Sequence, residues 1–173
     1  MKKINGGFEL ETATGTVQAR YVVNAAGIKA EAIHAMLGTP RFHIHPTRGE
    51  YYLLDKSEGT RANHVIFQCP NELGKGVLVS ATVHGNIIVG PTAIDIEDRD
   101  GTNTTAAGLE ELIAKAGISV DNLPIRQTIT SFAGLRAHED HHEFVIGEAE
   151  DAPGFVDCAG IESPGLTSAP AIG

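Results

Sequence analysis

The chain has 173 residues, 42% of them hydrophobic, with 20 glycines. That length favours one domain able to bury roughly 70% of its unfolded surface, and the composition excludes a disordered chain. Thirteen basic residues stand against 22 acidic ones, a net charge of −9, and they form no basic run, which speaks against nucleic acid or an anionic membrane surface as partner. No apolar stretch reaches the ~18 residues of a membrane span, and the segment Met1-Lys2-Lys3-Ile4-Asn5-Gly6-Gly7 lacks the apolar core of a signal peptide. Cys69 and Cys158 are too few for a disulfide framework or a four-Cys zinc site. The expectation is a cytoplasmic protein with reduced thiols.

The alternation in Phe8-Glu9-Leu10-Glu11-Thr12 and again in Thr16-Val17-Gln18-Ala19-Arg20, around Ala13-Thr14-Gly15, predicts a hairpin. It runs into Tyr21-Val22-Val23, a buried strand end that meets the small residues Asn24-Ala25-Ala26-Gly27. Ile28, Ala32, Ala35 and Met36, widened by Ile33 and Leu37, predict a helix stopped by Gly38 and Pro40. Residues 41–54 read as extended, interrupted at Thr47-Arg48-Gly49-Glu50, and residues 57–60 as a loop.

Strands are predicted at 64–68, 76–81 and 86–90, the last two joined by Thr82-Val83-His84-Gly85 as a hairpin. Residues 95–101 form an acidic loop. Leu109, Leu112, Ile113 and Ala116 make the apolar stripe of a helix over 105–116, capped by Gly117. Further strands are expected at 126–133, 143–146 and 155–158. Strands that do not alternate with helices predict an α+β fold, a mixed and largely antiparallel sheet with helices on one face. The expectation is one compact unit.

Eight histidines need an explanation. His43 and His45 lie two apart on an extended segment and so share a face. His138-Glu139-Asp140-His141-His142 falls between two strands and matches no standard metal spacing, so it reads as a solvated turn with no metal. No Gly-x-Ser-x-Gly and no phosphate-binding Gly-x-x-x-x-Gly-Lys-Ser/Thr is present, and Gly74-Lys75-Gly76 lacks the third glycine of a dinucleotide fingerprint. Cys158, in an apolar strand, reads as a small core residue. Three glycine-bearing segments remain: Asn24-Ala25-Ala26-Gly27, Ser131-Phe132-Ala133-Gly134-Leu135-Arg136, and residues 160–170, which end a strand and open a helix. Small residues allow a backbone to approach a ligand closely, and helix-start amides attract negative charge. As residues alone, the three read equally as ordinary turns.

Taken with Thr82-Val83-His84-Gly85-Asn86-Ile87-Ile88-Val89-Gly90-Pro91-Thr92-Ala93, these segments resemble, in order, the FAD-dependent oxidoreductases of the D-amino-acid oxidase-like superfamily, and within it the glycerol-3-phosphate dehydrogenase group. The resemblance implies that residues 1–27 and 155–173 are pieces of a flavin domain and that 28–154 are a substrate domain. It implies FAD in a longer parent enzyme. There, sn-glycerol 3-phosphate becomes dihydroxyacetone phosphate by hydride transfer to the flavin.

The cofactor-binding residues it implies are Ala25, Ala26, Gly27, Gly160, Ser163, Gly165, Leu166 and Thr167. Arg136, Arg48 and Tyr51 would bind the anionic substrate, and His84 would be the catalytic polar group. The Gly-rich dinucleotide segment that the family carries upstream of 22–27 is not found, so the chain is expected to be a fragment. It would hold no FAD by itself, be inactive alone, have frayed ends at 1–7 and 165–173, and self-associate weakly through surface that the missing flavin domain would cover. The parent would be membrane-associated on the cytoplasmic side.

One segment departs from the pattern. Glycerol-phosphate enzymes commonly have Gly-Ser-His where this chain has Gly49-Glu50-Tyr51, and Arg48-Gly49-Glu50-Tyr51 is more similar to the L-2-hydroxyglutarate oxidases of the same superfamily. That leaves L-2-hydroxyglutarate as an alternative substrate. A non-catalytic binding module and a small metal-binding domain using His138, His141 and His142 are the readings of other classes.

Overall fold

The computed structural model describes residues 1–69 and 76–173. Gly74 and Lys75 of the incomplete glycine motif lie outside the described residues. In chain order the strands are β1 (Lys2–Ile4), β2 (Gly7–Thr12), β3 (Gly15–Ala19), β4 (Val22–Asn24), β5 (Ile44–Leu54), β6 (Leu78–Ala81), β7 (Ile87–Gly90), β8 (Ile94–Asp95), β9 (Thr128–Glu139), β10 (Val145–Glu148) and β11 (Phe155–Ala159). The helices are α1 (Ala30–His34), α2 (Ala106–Ala116) and α3 (Gly165–Ile172). Strands dominate and pair mostly antiparallel, as the pattern predicts, but in three sheets and two compact units rather than one.

The first unit comprises Met1–Pro46, Glu97–Arg99 and Arg136–Gly173. The predicted hairpin is present as β2 and β3, with Leu10 opposite Val17. Lys2–Ile4, expected to fray, instead pairs with β2 as β1, because β2 offers it a free edge and Lys2 reaches Glu9 at 2.6 Å. The hairpin does not run on into residues 21–23. The chain breaks at Arg20 and enters a second sheet, ordered β10-β11-β4.

There β4 lies parallel to β11, Asn24 opposite Asp157, and β10 lies antiparallel to β11. Val23, expected to be buried, is 63% exposed. The predicted helix after Gly27 is reduced to a 3-10 turn (Gly27–Lys29) and the five residues of α1, followed by turns to Leu37. Ala30 and His34 are the buried residues of α1, so only one turn has anything to pack against, and helical stability comes mainly from such packing. The apolar contents are two small clusters, Ala30, Phe42, Ile44, Ala137 and Ala159 in one, Phe8, Ala149, Ala152 and Phe155 in the other.

The second unit comprises Thr47–Ile96 and Asp100–Leu135. Its sheet is ordered β6-β7-β5-β8, with β9 also paired to β5. β5 runs unbroken through Thr47-Arg48-Gly49-Glu50, where a break was predicted. Asp95 and Ile94 pair with Thr47 and Arg48 there, and Thr92 bonds the Glu50 backbone. The predicted strand at 64–68 shrinks to one bridge, Ile66 to Val79, and residues 56–61 form a 3-10 turn rather than a loop.

The β6–β7 hairpin forms as predicted, its tip held by Thr82 and Asn86. The Thr105 hydroxyl caps α2 by accepting the Gly108 N–H at 3.1 Å. Gly117 follows in a right-handed conformation (φ −62), so its lack of a side chain is not what ends the helix. Leu112 and Ala116 of the predicted stripe are buried against Leu54, Val77, Val79, Ile87 and Val89, whereas Ile113 is exposed. This is the largest apolar cluster among the described residues.

Candidate functional site

The first unit builds its candidate site from two parallel strands. β4 and β11 run side by side in the same direction, so the loops that leave their carboxyl ends, residues 25–27 and 160–164, emerge at the same edge. In open sheets that edge is where ligands are held. A buried polar chain fixes the pair. Asn24 Nδ2 donates to Asp157 Oδ1 (2.8 Å) and to the Ala30 carbonyl (2.9 Å), and His34 Nδ1 meets Asp157 Oδ2 at 2.7 Å. The other His34 nitrogen lies 3.3 Å from Asp151, which accepts the Thr39 N–H at 2.8 Å. That N–H, with His34 behind it, holds the Asp151 carboxyl below the usual carboxylate range. Sequence reasoning missed this chain because its members lie up to 133 positions apart.

Ala25, Ala26 and Gly27 are exposed, and Gly27 (φ +55) has open space where a side chain would stand. Ala25 and Ala26 border a cleft of about 510 Å3 lined also by Leu10, Val22, Val23 and Ile33. Beyond β11, Gly160 (φ +64) turns the chain where a Cβ would press on the Glu143 carbonyl and Glu139. The helix expected to open within 160–170 is α3, and residues Gly165–Ile172, expected to fray, form it, with no side-chain cap on its first turn. Gly165 is buried against Ile161, Ser163 and Thr167 are exposed, and Leu166 is 92% exposed. Small residues, an apolar cleft and uncapped helix-start amides suit a flat cofactor with a negatively polarised edge.

Arg136 lies within β9, not past its end, because Gly134 is carried through in extended form. It is half-buried in the first unit. The turn that follows is not merely solvated. Glu139 is buried and its carboxylate accepts the N–H groups of His141 (2.8 Å) and Glu143 (3.3 Å), while His138 and His142 both meet Glu162.

In the second unit Arg48 and Glu50 sit two apart on β5. Glu50 is fully buried and the Arg48 side chain only 12% exposed, with Arg48 Nε 3.1 Å from Glu50 Oε1. That oxygen also accepts the Thr105 hydroxyl at 3.0 Å, and Asn103 Oδ1 lies 3.4 Å from Arg48 Nη1. Gly108 is required here, since a Cβ would overlap the Glu50 carboxylate. Tyr51 faces the other way and stacks on Phe132, centroids 5.1 Å apart and rings 11° from parallel. A side chain on Gly90 would strike Tyr51. His84 is exposed at the β6–β7 tip, beside a Val83 that is 96% exposed. The second unit thus brings Arg48 and Tyr51 onto one strand and places His84 on a hairpin tip.

Loops leaving two parallel strands, small residues at a shared carboxyl edge and an uncapped helix start are features compatible with a nucleotide cofactor. The chain belongs to the FAD dependent oxidoreductase (DAO) family, whose model matches residues 1–173. It is 50% identical over 172 residues to a glycerol 3-phosphate dehydrogenase of Caloramator mitchellensis, covering 99% of this chain and 36% of that protein. It is also similar to the solved, FAD-bound L-alpha-glycerophosphate oxidase of Mycoplasma pneumoniae, with 33% identity, a TM-score of 0.87, and coverage of 99% of this chain and 46% of that one. An L-2-hydroxyglutarate dehydrogenase of Salmonella houtenae is 35% identical over 98 residues, 55% of this chain and 22% of that protein. The chain therefore spans less than half the length of these relatives. Among the described residues no helix is long and apolar enough to cross a membrane.

Proposed function

We propose that the chain is the part of a flavin-dependent enzyme that oxidises sn-glycerol 3-phosphate to dihydroxyacetone phosphate. The observation that carries this reading is the 50% identity, over nearly the whole chain, to a glycerol 3-phosphate dehydrogenase. Residues 1–27 and 155–173 form the flavin side and 28–154 the substrate side. FAD, when bound, supplies the hydride acceptor.

The chain's own residues hold and orient. Ala25, Ala26 and Gly27 let the backbone pass close to the cofactor, with Gly160 and Ser163 shaping the opposite loop. The N–H groups of Gly165, Leu166 and Thr167 favour negative charge at the first turn of α3. Arg136 grips the substrate phosphate, for which a bidentate guanidinium is better suited than an ammonium. Arg48 and Tyr51 are both assigned to the substrate by the resemblance, but they leave opposite faces of β5, and it is Arg48, ion-paired with buried Glu50, that stays as the second anion contact. His84 is the polar group assigned to the alcohol proton, an imidazole being able to take it up.

The test is anaerobic. The polypeptide that carries this chain, purified with FAD, is mixed with sn-glycerol 3-phosphate, and loss of the ~450 nm flavin band is expected. Arg136→Lys should raise KM by roughly 10- to 100-fold, since one charge-assisted bidentate contact is lost. Bleaching by L-2-hydroxyglutarate but not by glycerol 3-phosphate would move the substrate to the alternative that Arg48-Gly49-Glu50-Tyr51 favours. Bleaching by neither would end both readings.

A further inference from the structure

Four histidine rings gather on the first unit. Strand alternation buries Phe42 and Ile44 and turns His43 and His45 outward together. The same alternation on β9 buries Ala137 and Glu139 and leaves His138 on the face of Arg136. Ring centroids are 6.0 Å apart for His43 and His45, 4.6 Å for His45 and His138, and 4.2 Å for His138 and His142. Carboxylates border the row: Glu31 is 3.0 Å from His43, Asp140 3.3 Å from His45, and Glu162 3.4 Å from His138 and 3.3 Å from His142.

The contacts of Glu162 are the unusual ones. His142 Nδ1 lies 3.3 Å from Oε1, and His138 Nδ1 lies 3.4 Å from both carboxylate oxygens. These distances exceed the ~2.7–2.9 Å of a charge-assisted hydrogen bond. Two bonds of ~2.0–2.1 Å meeting at a tetrahedral angle separate their ligand atoms by about 3.3 Å. The corresponding octahedral edge at ~2.1 Å is about 3.0 Å. The nitrogen-to-oxygen spacings are near the tetrahedral edge, and one ligand atom from each of the three residues lies within 4.8 Å of the others.

The scaffold under these atoms is fixed before any ion arrives. Buried Glu139 ties down the N–H groups of the turn. His142 takes φ +58, a left-handed turn conformation that histidine adopts more readily than most non-glycine residues. Gly160 lets the loop carrying Glu162 leave β11 close against Glu139.

We propose that His138, His142 and Glu162 bind one zinc ion through the two Nδ1 atoms and a carboxylate oxygen. The fourth tetrahedral position is left open to water or to an added ligand. Two imidazoles and one carboxylate match the borderline-soft character of zinc. The ion ties the end of β9 to the loop that leads into α3. The neighbouring trio His43, His45 and Asp140 has two exposed members, His43 and Asp140, whereas in the proposed site His138 and Glu162 are largely covered and His142 is exposed. That trio acts as the comparison site rather than the binding one.

The test is zinc chloride titrated into the protein, without a polyhistidine tag, against a chromogenic chelator and by calorimetry. One zinc per chain is expected. His142→Ala and Glu162→Gln should each weaken binding roughly 10- to 100-fold. His43→Ala and Asp140→Asn should change it less than about twofold. Melting in EDTA, where all variants should match the parent protein, separates loss of a ligand from loss of fold. No zinc uptake at millimolar zinc overturns the proposal. So does uptake that His142→Ala and Glu162→Gln leave unchanged, or that His43→Ala and Asp140→Asn abolish equally.

Discussion

The two compact units are held together by different physics. The second contains one continuous apolar cluster, in which α2 covers β6 and β7 and the buried residues from Leu54 to Ala116 touch one another. The first divides its apolar residues between two small clusters. It joins β4, β11 and α1 through the buried polar chain Asn24, Asp157 and His34, which exposed Asp151 extends to the surface. Apolar packing is tolerant of small changes in shape, but a buried polar chain fails as soon as one member leaves another unpaired. The candidate cofactor loops leave the rigid polar-bonded strands β4 and β11, and the candidate substrate residues Arg48 and Tyr51 sit on the strand that borders the apolar core.

The sharpest way to break this contrast is Asp157→Ala. It strands His34 and Asn24 in the interior and should cost about 3–5 kcal/mol. Hydrogen exchange should show protection lost in β4 and β11 while β6 and β7 keep theirs. Loss in both regions together would mean the two units fold as one. Leu112→Ala is the reciprocal experiment. It opens a cavity at a fully buried site and should cost about 2–4 kcal/mol, with exchange rising in β7 and not in β11. Gly108→Ala comes next, at about 1–3 kcal/mol of overpacking against Glu50. Urea denaturation reads this cost. Pairing it with Glu50→Gln in a double-mutant cycle tests whether the crowding is with that carboxylate.

Acid gives the smallest effect. Burial alone would raise the Glu31 carboxyl, but the Ile44 N–H, His43 and Arg99 outweigh it, and its pKa is lowered. Asp151 is lowered as well, chiefly by the Thr39 N–H. A carboxyl with a depressed folded-state pKa adds stability that is complete above its unfolded value of about 4 and is lost as pH falls through the folded one. The first unit should therefore loosen in a thermal melt followed from pH 5 downward. Asp151→Asn should flatten that dependence, and an unchanged acid slope would show that Asp151 does not carry it.

Much of this was legible in the chain itself. The hairpins β2–β3 and β6–β7, helix α2 with Leu112 and Ala116 of its stripe, and the opening of a helix within 160–170 follow from spacing and turn residues, because each is decided by neighbours in sequence. The family motifs at 24–27, 82–93, 133–136 and 160–170 were equally readable, and the match over residues 1–173 agrees with them.

What failed depended on distant partners. Residues 64–68 have strand composition, yet only Ile66 finds a mate. Thr47-Arg48-Gly49-Glu50 looks like a break, yet Thr92, Ile94 and Asp95 hold it straight. Residues 28–37 have a helical stripe, yet only one turn packs. His138 to His142 looked like a solvated turn until folding brought Glu162 beside it. The sequence by itself determined local conformation, the predominance of strands and the family. Only the tertiary structure decided which strands pair, which polar groups meet in the interior, and that four histidines share a surface. These contacts join residues tens of positions apart, and no local periodicity records them.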